Sequence, residues 1–170
     1  MIAKFTSAHK NGYRANLNSP VAVVVHVAEG TYAGTIAWFQ DPRAKVSTHF
    51  VVGKLENQVL QMVRYADAAI HAGWNKGIWP GYKGVSPNLC TIGIENAGRT
   101  GEPFTNWQYE CNAWIISEVA KKFKFDPSPL SILGHCDMDQ VNRKNCPGTG
   151  VDMTKLIEMA KERMKDAIII

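Results

Sequence analysis

The sequence predicts an α/β domain, a single mixed central β-sheet flanked by helices. Three observations point there. Val21–Val27 is short, apolar and almost wholly β-branched, which reads as a strand buried on both faces. Thr105–Asn106–Trp107–Gln108 reads as a capping box that opens a helix running to about Lys124. Around these two segments, strand-like and helix-like stretches alternate, the pattern of a sheet covered by helices. The chain has 170 residues, so residues 1–170 form one domain at roughly 100–200 residues per domain.

The elements follow in chain order. The first twenty residues are polar and hold Asn11, Gly12, Asn16, Asn18 and Pro20, which predicts a loop wrapped on the surface. After Val21–Val27, Thr31–Phe39 reads as a short helix with Gly34 inside it. Ser47–Gly53 and Gln58–Val63 are β-rich and joined through Gly53–Asn57 as a hairpin. Residues 71–89 interleave Gly73, Gly77, Pro80, Gly81, Gly84 and Pro87 with Trp74, Trp79 and Tyr82. A loop that long in a compact domain is usually functional, and its aromatics suit either a groove wall or a self-packed loop. Thr91–Ala97 reads as a second buried strand. In the capped helix, Trp107, Cys111, Trp114, Ile115, Val119 and Phe123 recur at helical spacing and give a core-facing side. Leu130–Gly134 is a further short strand, and a last helix begins near Asp152 with Met153, Leu156, Ile157, Ala160 and Met164 on one side.

Composition removes several function classes. Hydrophobic residues are 45% and charged residues 20%, which is globular and not disordered or fibrous. No apolar run approaches the ~20 residues that cross a bilayer, so no membrane insertion is expected. Met1–Ile2–Ala3–Lys4–Phe5–Thr6 lacks the apolar core of a signal peptide. The expectation is a cytoplasmic chain whose four cysteines stay reduced. A net charge of +4 mildly favours anionic partners and is too small to indicate nucleic acid.

The chemistry-bearing candidates are polar residues inside strands, where burial has a cost unless it is satisfied. Period-2 alternation puts His26 on one face with Ala22 and Val24, and Glu95 on one face with Thr91 and Gly93. A carboxylate beside a glycine has room for a ligand or water. His135 ends the strand Leu130–Gly134, where site residues of α/β proteins often stand. Each of these alone also reads as a structural histidine or a surface glutamate. Cys146 follows in Arg143–Lys144–Asn145–Cys146–Pro147–Gly148. Two histidines and a thiolate make a candidate zinc set that leaves a fourth position open. The absence of paired Cys-x-x-Cys knuckles argues against a zinc ribbon. Cys136, next to His135 in an extended chain, faces away from it; Cys90 and Cys111 read as buried thiols.

Val25–His26, Ser47–Thr48–His49–Phe50–Val51–Val52, His71–Ala72–Gly73, Ile92–Gly93–Ile94–Glu95, Gly134–His135 through Asp137, and Arg143–Lys144–Asn145–Cys146–Pro147–Gly148 occur in this order. In that order the sequence resembles the type-2 N-acetylmuramoyl-L-alanine amidases, from about Val21 to Lys165. These share a fold with the peptidoglycan recognition proteins, and many are phage endolysins or bacterial autolysins. The resemblance implies one Zn2+ per chain, held by His26, His135 and Cys146, the last being aspartate in some members. It implies Glu95 as the catalytic glutamate and Lys144 as the lysine two residues before the third ligand. It puts His71 and Trp74 along the substrate groove. Thr48 stands where some phage members carry a tyrosine; it would offer substrate one hydrogen bond and cannot replace a phenol, so a tyrosine-dependent step falls to Glu95.

The implied activity is hydrolysis of the amide between N-acetylmuramic acid and the L-alanine of the peptidoglycan stem peptide. The implied setting is a phage or prophage endolysin, a monomer held in the host cytoplasm until release to the cell wall. No separate wall-binding module is visible. Two other classes stay open: a non-catalytic peptidoglycan-binding module of the same fold, and a regulatory interaction protein. Cys146 favours the enzyme, because inactive members usually lose the third ligand. His49 reads as structural, Trp107 and Trp114 as core, and Asp137 and Asp139 either as partners of His135 or as loop caps.

Overall fold

The computed structural model describes residues 1–73, 79–80 and 85–166. Its regular elements are β1 (Lys4–Phe5), β2 (Tyr13–Arg14), β3 (Ala22–Val27), α1 (Tyr32–Gln40), β4 (Phe50–Val52), β5 (Val59–Gln61), β6 (Ala68–Ala69), β7 (Thr91–Asn96), α2 (Asn106–Phe123), β8 (Ile132–Gly134), α3 (His135–Met138) and α4 (Met153–Asp166). Six strands form one mixed sheet in the order β1-β5-β4-β7-β3-β8, and β2 pairs with β6 apart from it. The centre is parallel, with β7 beside both β4 and β3, and β3 beside β8. β4 and β5 form the antiparallel hairpin that the sequence predicts.

The β-branched run fills β3 because both its faces are covered. Val23, Val25 and Val27 join Ile92 and Ile94 of β7 on the side where α2 and α4 pack, against Cys111, Ile115, Ile116, Leu156 and Ile157. Each such side chain contributes about 1.5–3 kcal/mol on full burial. Ala22 and Val24 face the other side, with Leu133, Trp79, Cys90 and Met138. That second face carries His26, Gly93 and Glu95, as the alternation requires.

Helix α2 begins as its sequence dictates. Thr105 Oγ1 accepts the Gln108 N–H at 3.2 Å, and Gln108 Oε1 accepts the Thr105 N–H at 3.0 Å, which closes the capping box. The helix ends at Lys124 in the left-handed conformation. Trp107 and Trp114 pack against the core.

Outside the site, the structure departs from the sequence reading in three places. The first twenty residues hold two strands of two residues each, β1 on the sheet edge beside β5 and β2 beside β6; two residues show no alternation, so no pattern announced them. The chain after β8 is a helical turn and not extended, since Asp137 Oδ2 accepts the Gly134 N–H and the Asp139 N–H returns to the His135 carbonyl. Trp79 is buried, with its indole N–H on the Leu130 carbonyl at 3.0 Å, so this aromatic serves packing. Trp74, Gly77, Gly81, Tyr82 and Gly84 lie outside the described residues. Among the described residues no helix is long and apolar enough to cross a membrane.

Candidate metal centre

Strand register assembles the site. β3 and β7 pair His26 with Glu95, and β3 and β8 pair Val25 with Gly134. His135, one residue past Gly134, therefore stands beside His26. Three adjacent parallel strands thus bring His26, Glu95 and His135 together at their carboxyl ends, the usual place for a site in such sheets.

The fourth group comes from a loop tied back onto the strands. The Cys136 N–H donates to the Cys146 carbonyl at 2.8 Å, and the Val27 N–H donates to Cys146 Sγ at 3.4 Å. Gly134 permits this approach, because a Cβ there would lie 2.8 Å from Pro147 Cδ. The ligand atoms of His26, His135 and Cys146 all lie within 4.8 Å of one another. Among the described residues this trio is the cluster of such groups that could hold a metal ion. His26 Nδ1 and His135 Nδ1 are 2.9 Å apart.

Burial sets the protonation states. It drives the His26 pKa well below the ordinary range, helped by His135, His71 and Arg143, and it pushes His135 down to about 4, helped by Arg143. Both imidazoles are therefore neutral, each with one ring nitrogen unprotonated. Burial pushes the Cys146 thiol up to about 12, so binding a cation there releases a proton. Glu95 is half-buried, with Oε2 lacking a hydrogen-bond partner among the described residues. Burial pushes its carboxyl up to about 8, against the pull of the Arg143 charge. Two neutral imidazoles and a thiol beside an unsatisfied carboxyl fit zinc, whose catalytic sites use three protein ligands from nitrogen, sulfur and oxygen.

These groups open on a cavity of about 470 Å3, whose walls include His26, His71, Glu95, His135, Lys144 and Cys146. Six of the eight residues singled out from sequence thus meet in one place. Thr48 does not: it is fully buried and its hydroxyl has no partner among the described residues. Trp74 lies outside the described residues. Cys136 lines a neighbouring cavity with Gly134 and Pro147. The space over Gly93, expected to be open, holds the His71 ring; a Cβ at 93 would lie 2.6 Å from His71 Cγ. His49 is structural, its Nδ1 accepting the Gly93 N–H and its Nε2–H donating to the Asp67 carbonyl. Asp137 caps Gly134, and Asp139 accepts the Val141 and Asn142 N–H groups while its charge also reaches His135.

Sequence reasoning passed over Arg143. It lines the same cavity, and its positive charge acts on His26, Glu95, His135 and Cys146. The signal was present in the basic pair Arg143–Lys144, but the family resemblance singled out Lys144 alone, and this stretch is a series of turns that brings both cations to the cavity wall. Glu29, at the cavity rim with its carboxylate on the Thr100 N–H and hydroxyl, was also missed.

A family model described as N-acetylmuramoyl-L-alanine amidase matches residues 16–149. The chain belongs to the N-acetylmuramoyl-L-alanine amidase family. Within this amidase family, N-acetylmuramoyl-L-alanine amidase A of Achromobacter lyticus is 38% identical over 105 residues, 62% of this chain and 52% of that protein. The chain thus spans about half the length of that curated relative. Among solved structures, a selenomethionine derivative of the amidase AmpD matches with TM-score 0.71 at 21% identity, over 92% of this chain and 93% of that one. The endolysin amidase LysCS from Clostridium intestinale matches with TM-score 0.65 at 15% identity, over 91% and 92%. These two likenesses establish a shared fold: the mixed six-stranded sheet flanked by helices is that of amidases and endolysins.

Proposed function

We propose that this chain is a zinc-dependent peptidoglycan hydrolase that cleaves the amide between N-acetylmuramic acid and the L-alanine of the stem peptide. One observation carries the reading: His26, His135 and Cys146 converge beside the unsatisfied carboxyl of Glu95 in a cavity that also presents two cations. Family membership and the name of the curated relative support the substrate class.

Zinc, when bound, lowers the pKa of a water toward ~7 and polarises a carbonyl. His26, His135 and Cys146 would hold it, one ion per chain. Glu95, with a pKa near 8 set by burial, can take a proton from the attacking water and return it to the leaving amine near neutral pH. Arg143 and Lys144, both on the cavity wall, would offset the negative charge that grows on the carbonyl oxygen; removing such a donor typically costs about 10²–10³ in rate. His71 completes the wall. Thr48, being fully buried, is assigned no contact with substrate. All these residues come from one chain, so a monomer suffices, and residues 1–170 serve as one catalytic domain.

We further read the protein as a lysis enzyme of the phage endolysin type, held folded in the host cytoplasm before release. A fold shared with an endolysin amidase supports this, as does a thiol ligand that a reducing compartment would preserve. Mass spectrometry of purified peptidoglycan after digestion tests the reaction. Stem peptides freed at an L-alanine amine support the amidase. Cut glycan strands, or an unchanged wall with bound protein, would replace it with a glycosidase or a binding module.

A further inference from the structure

His26 uses both of its ring nitrogens, and the route by which one of them is held runs through His71. Thr91 Oγ1 lies 2.7 Å from the Pro87 carbonyl. A carbonyl only accepts, so the single hydroxyl proton of Thr91 is spent there. The same oxygen lies 3.2 Å from His71 Nε2, which must therefore be the donor. That leaves His71 Nδ1 as an acceptor, and it lies 2.9 Å from His26 Nε2. His26 Nε2 must donate in turn. The lone pair of His26 is then on Nδ1, the atom 2.9 Å from His135 Nδ1 in the ligand cluster.

The ring that relays this is fixed on every side. Asn88 Oδ1 accepts the backbone N–H of His71 at 2.9 Å and of Ala72 at 2.8 Å. The ring lies where a side chain at Gly93 would have to be, 2.6 Å from the position of a Cβ. Gly93 is itself pinned, its N–H donating to His49 Nδ1 at 3.0 Å. Thr91 is fully buried, so water does not compete for its hydroxyl.

We propose that His71 is a positioning residue for the metal centre: the run from the Pro87 carbonyl through Thr91 and His71 holds His26 in the Nε2–H tautomer and presents Nδ1 to the ion. The inference rests on the zinc reading above and gives His71 a task beyond that of a groove wall. A ligating histidine usually donates its second N–H to a fixed acceptor, and losing that acceptor typically costs about 10–100-fold in metal affinity. Here the acceptor is a neutral imidazole held by a buried threonine.

Long-range ¹H–¹⁵N NMR of the full-length, metal-stripped protein at neutral pH reads the tautomer directly. His26 should carry its proton on Nε2 in the unmodified chain and lose that preference in His71→Leu. Zinc competition against a chelator should show affinity about 10–100-fold weaker in His71→Leu. His71→Asn, whose Oδ1 can stand near the lost Nδ1, should recover most of it. Thr91→Val, which keeps the shape and removes the hydroxyl, should weaken the preference even if His71→Leu fails to fold. A proton on His26 Nδ1 in the unmodified protein would overturn the proposal. So would unchanged tautomer and zinc affinity in His71→Leu or, where that variant does not fold, in Thr91→Val. If the unmodified chain binds no zinc, the metal reading falls, while the tautomer measurement still decides the relay.

Discussion

Replacing Glu95 by glutamine should make the metal-stripped protein more stable at neutral pH, although it removes the carboxyl assigned to catalysis. The carboxyl is half-buried, with Oε2 lacking a partner among the described residues, and burial lifts its pKa from 4.5 to about 8. A folded pKa raised above the unfolded one gives stability that is complete below about pH 4.5. It drains away as pH rises toward 8, because the unfolded chain ionises first. At about 1.4 kcal/mol for each pH unit, the loss by pH 7 is about 3 kcal/mol. Glutamine keeps the shape and cannot ionise, so the variant escapes the loss. For a chain of this length the gap corresponds to about 6–12 °C in melting temperature. Urea unfolding of stripped protein at pH 5, 6 and 7 should show the gap opening from under about 1 kcal/mol to about 3 kcal/mol. A gap that does not change with pH, or a variant less stable than its parent throughout, would refute the desolvated carboxyl.

Four further outcomes follow from the same geometry. Cys146→Ser should retain far less zinc by elemental analysis, and Cys136→Ser should retain it, since Cys136 lines a different cavity. Arg143→Met should raise the pH at which the gap between the stripped parent and its Glu95→Gln variant stops growing, and enlarge the final gap, because the Arg143 charge holds the folded Glu95 pKa down; an unmoved upper limit would show that the charge does not reach the carboxyl. His49, with both nitrogens bonded and its pKa driven by burial to about 4, should stay neutral in an NMR titration until near pH 4. Its stability contribution is complete above pH 6.5 and lost as pH falls toward 4, about 3 kcal/mol in all, and a ring midpoint near 6.5 would contradict it. Thr105→Ala removes the α2 cap and should cost about 1 kcal/mol in urea unfolding.

Much of the site was legible because it lies on strands. Alternation put His26 with Ala22 and Val24 on its strand and Glu95 with Thr91 and Gly93 on its own, and the parallel register then set the two side by side on one face. The capping box at Thr105 and the apolar face of α2 were legible for the same reason, being local and periodic. What failed was local geometry without a period. β1 and β2 are too short to alternate, and the turn at His135–Met138 depends on an Asp137 cap that spacing does not reveal. The role of Arg143 depends on how a series of turns aims two adjacent cations. The packing of His71 over Gly93 joins residues from separate elements, so the glycine read as open space when it was a filled slot.

The central claim is that one zinc held by His26, His135 and Cys146 drives amide cleavage in the cavity that Glu95 shares. Titrating zinc into the stripped full-length protein, while following release of stem peptides from peptidoglycan, tests it most directly. Release should be absent at the start, rise linearly and break at one equivalent, and Cys146→Ser should give no such break. Undiminished release from the stripped protein, or a break that survives in Cys146→Ser, would contradict the account.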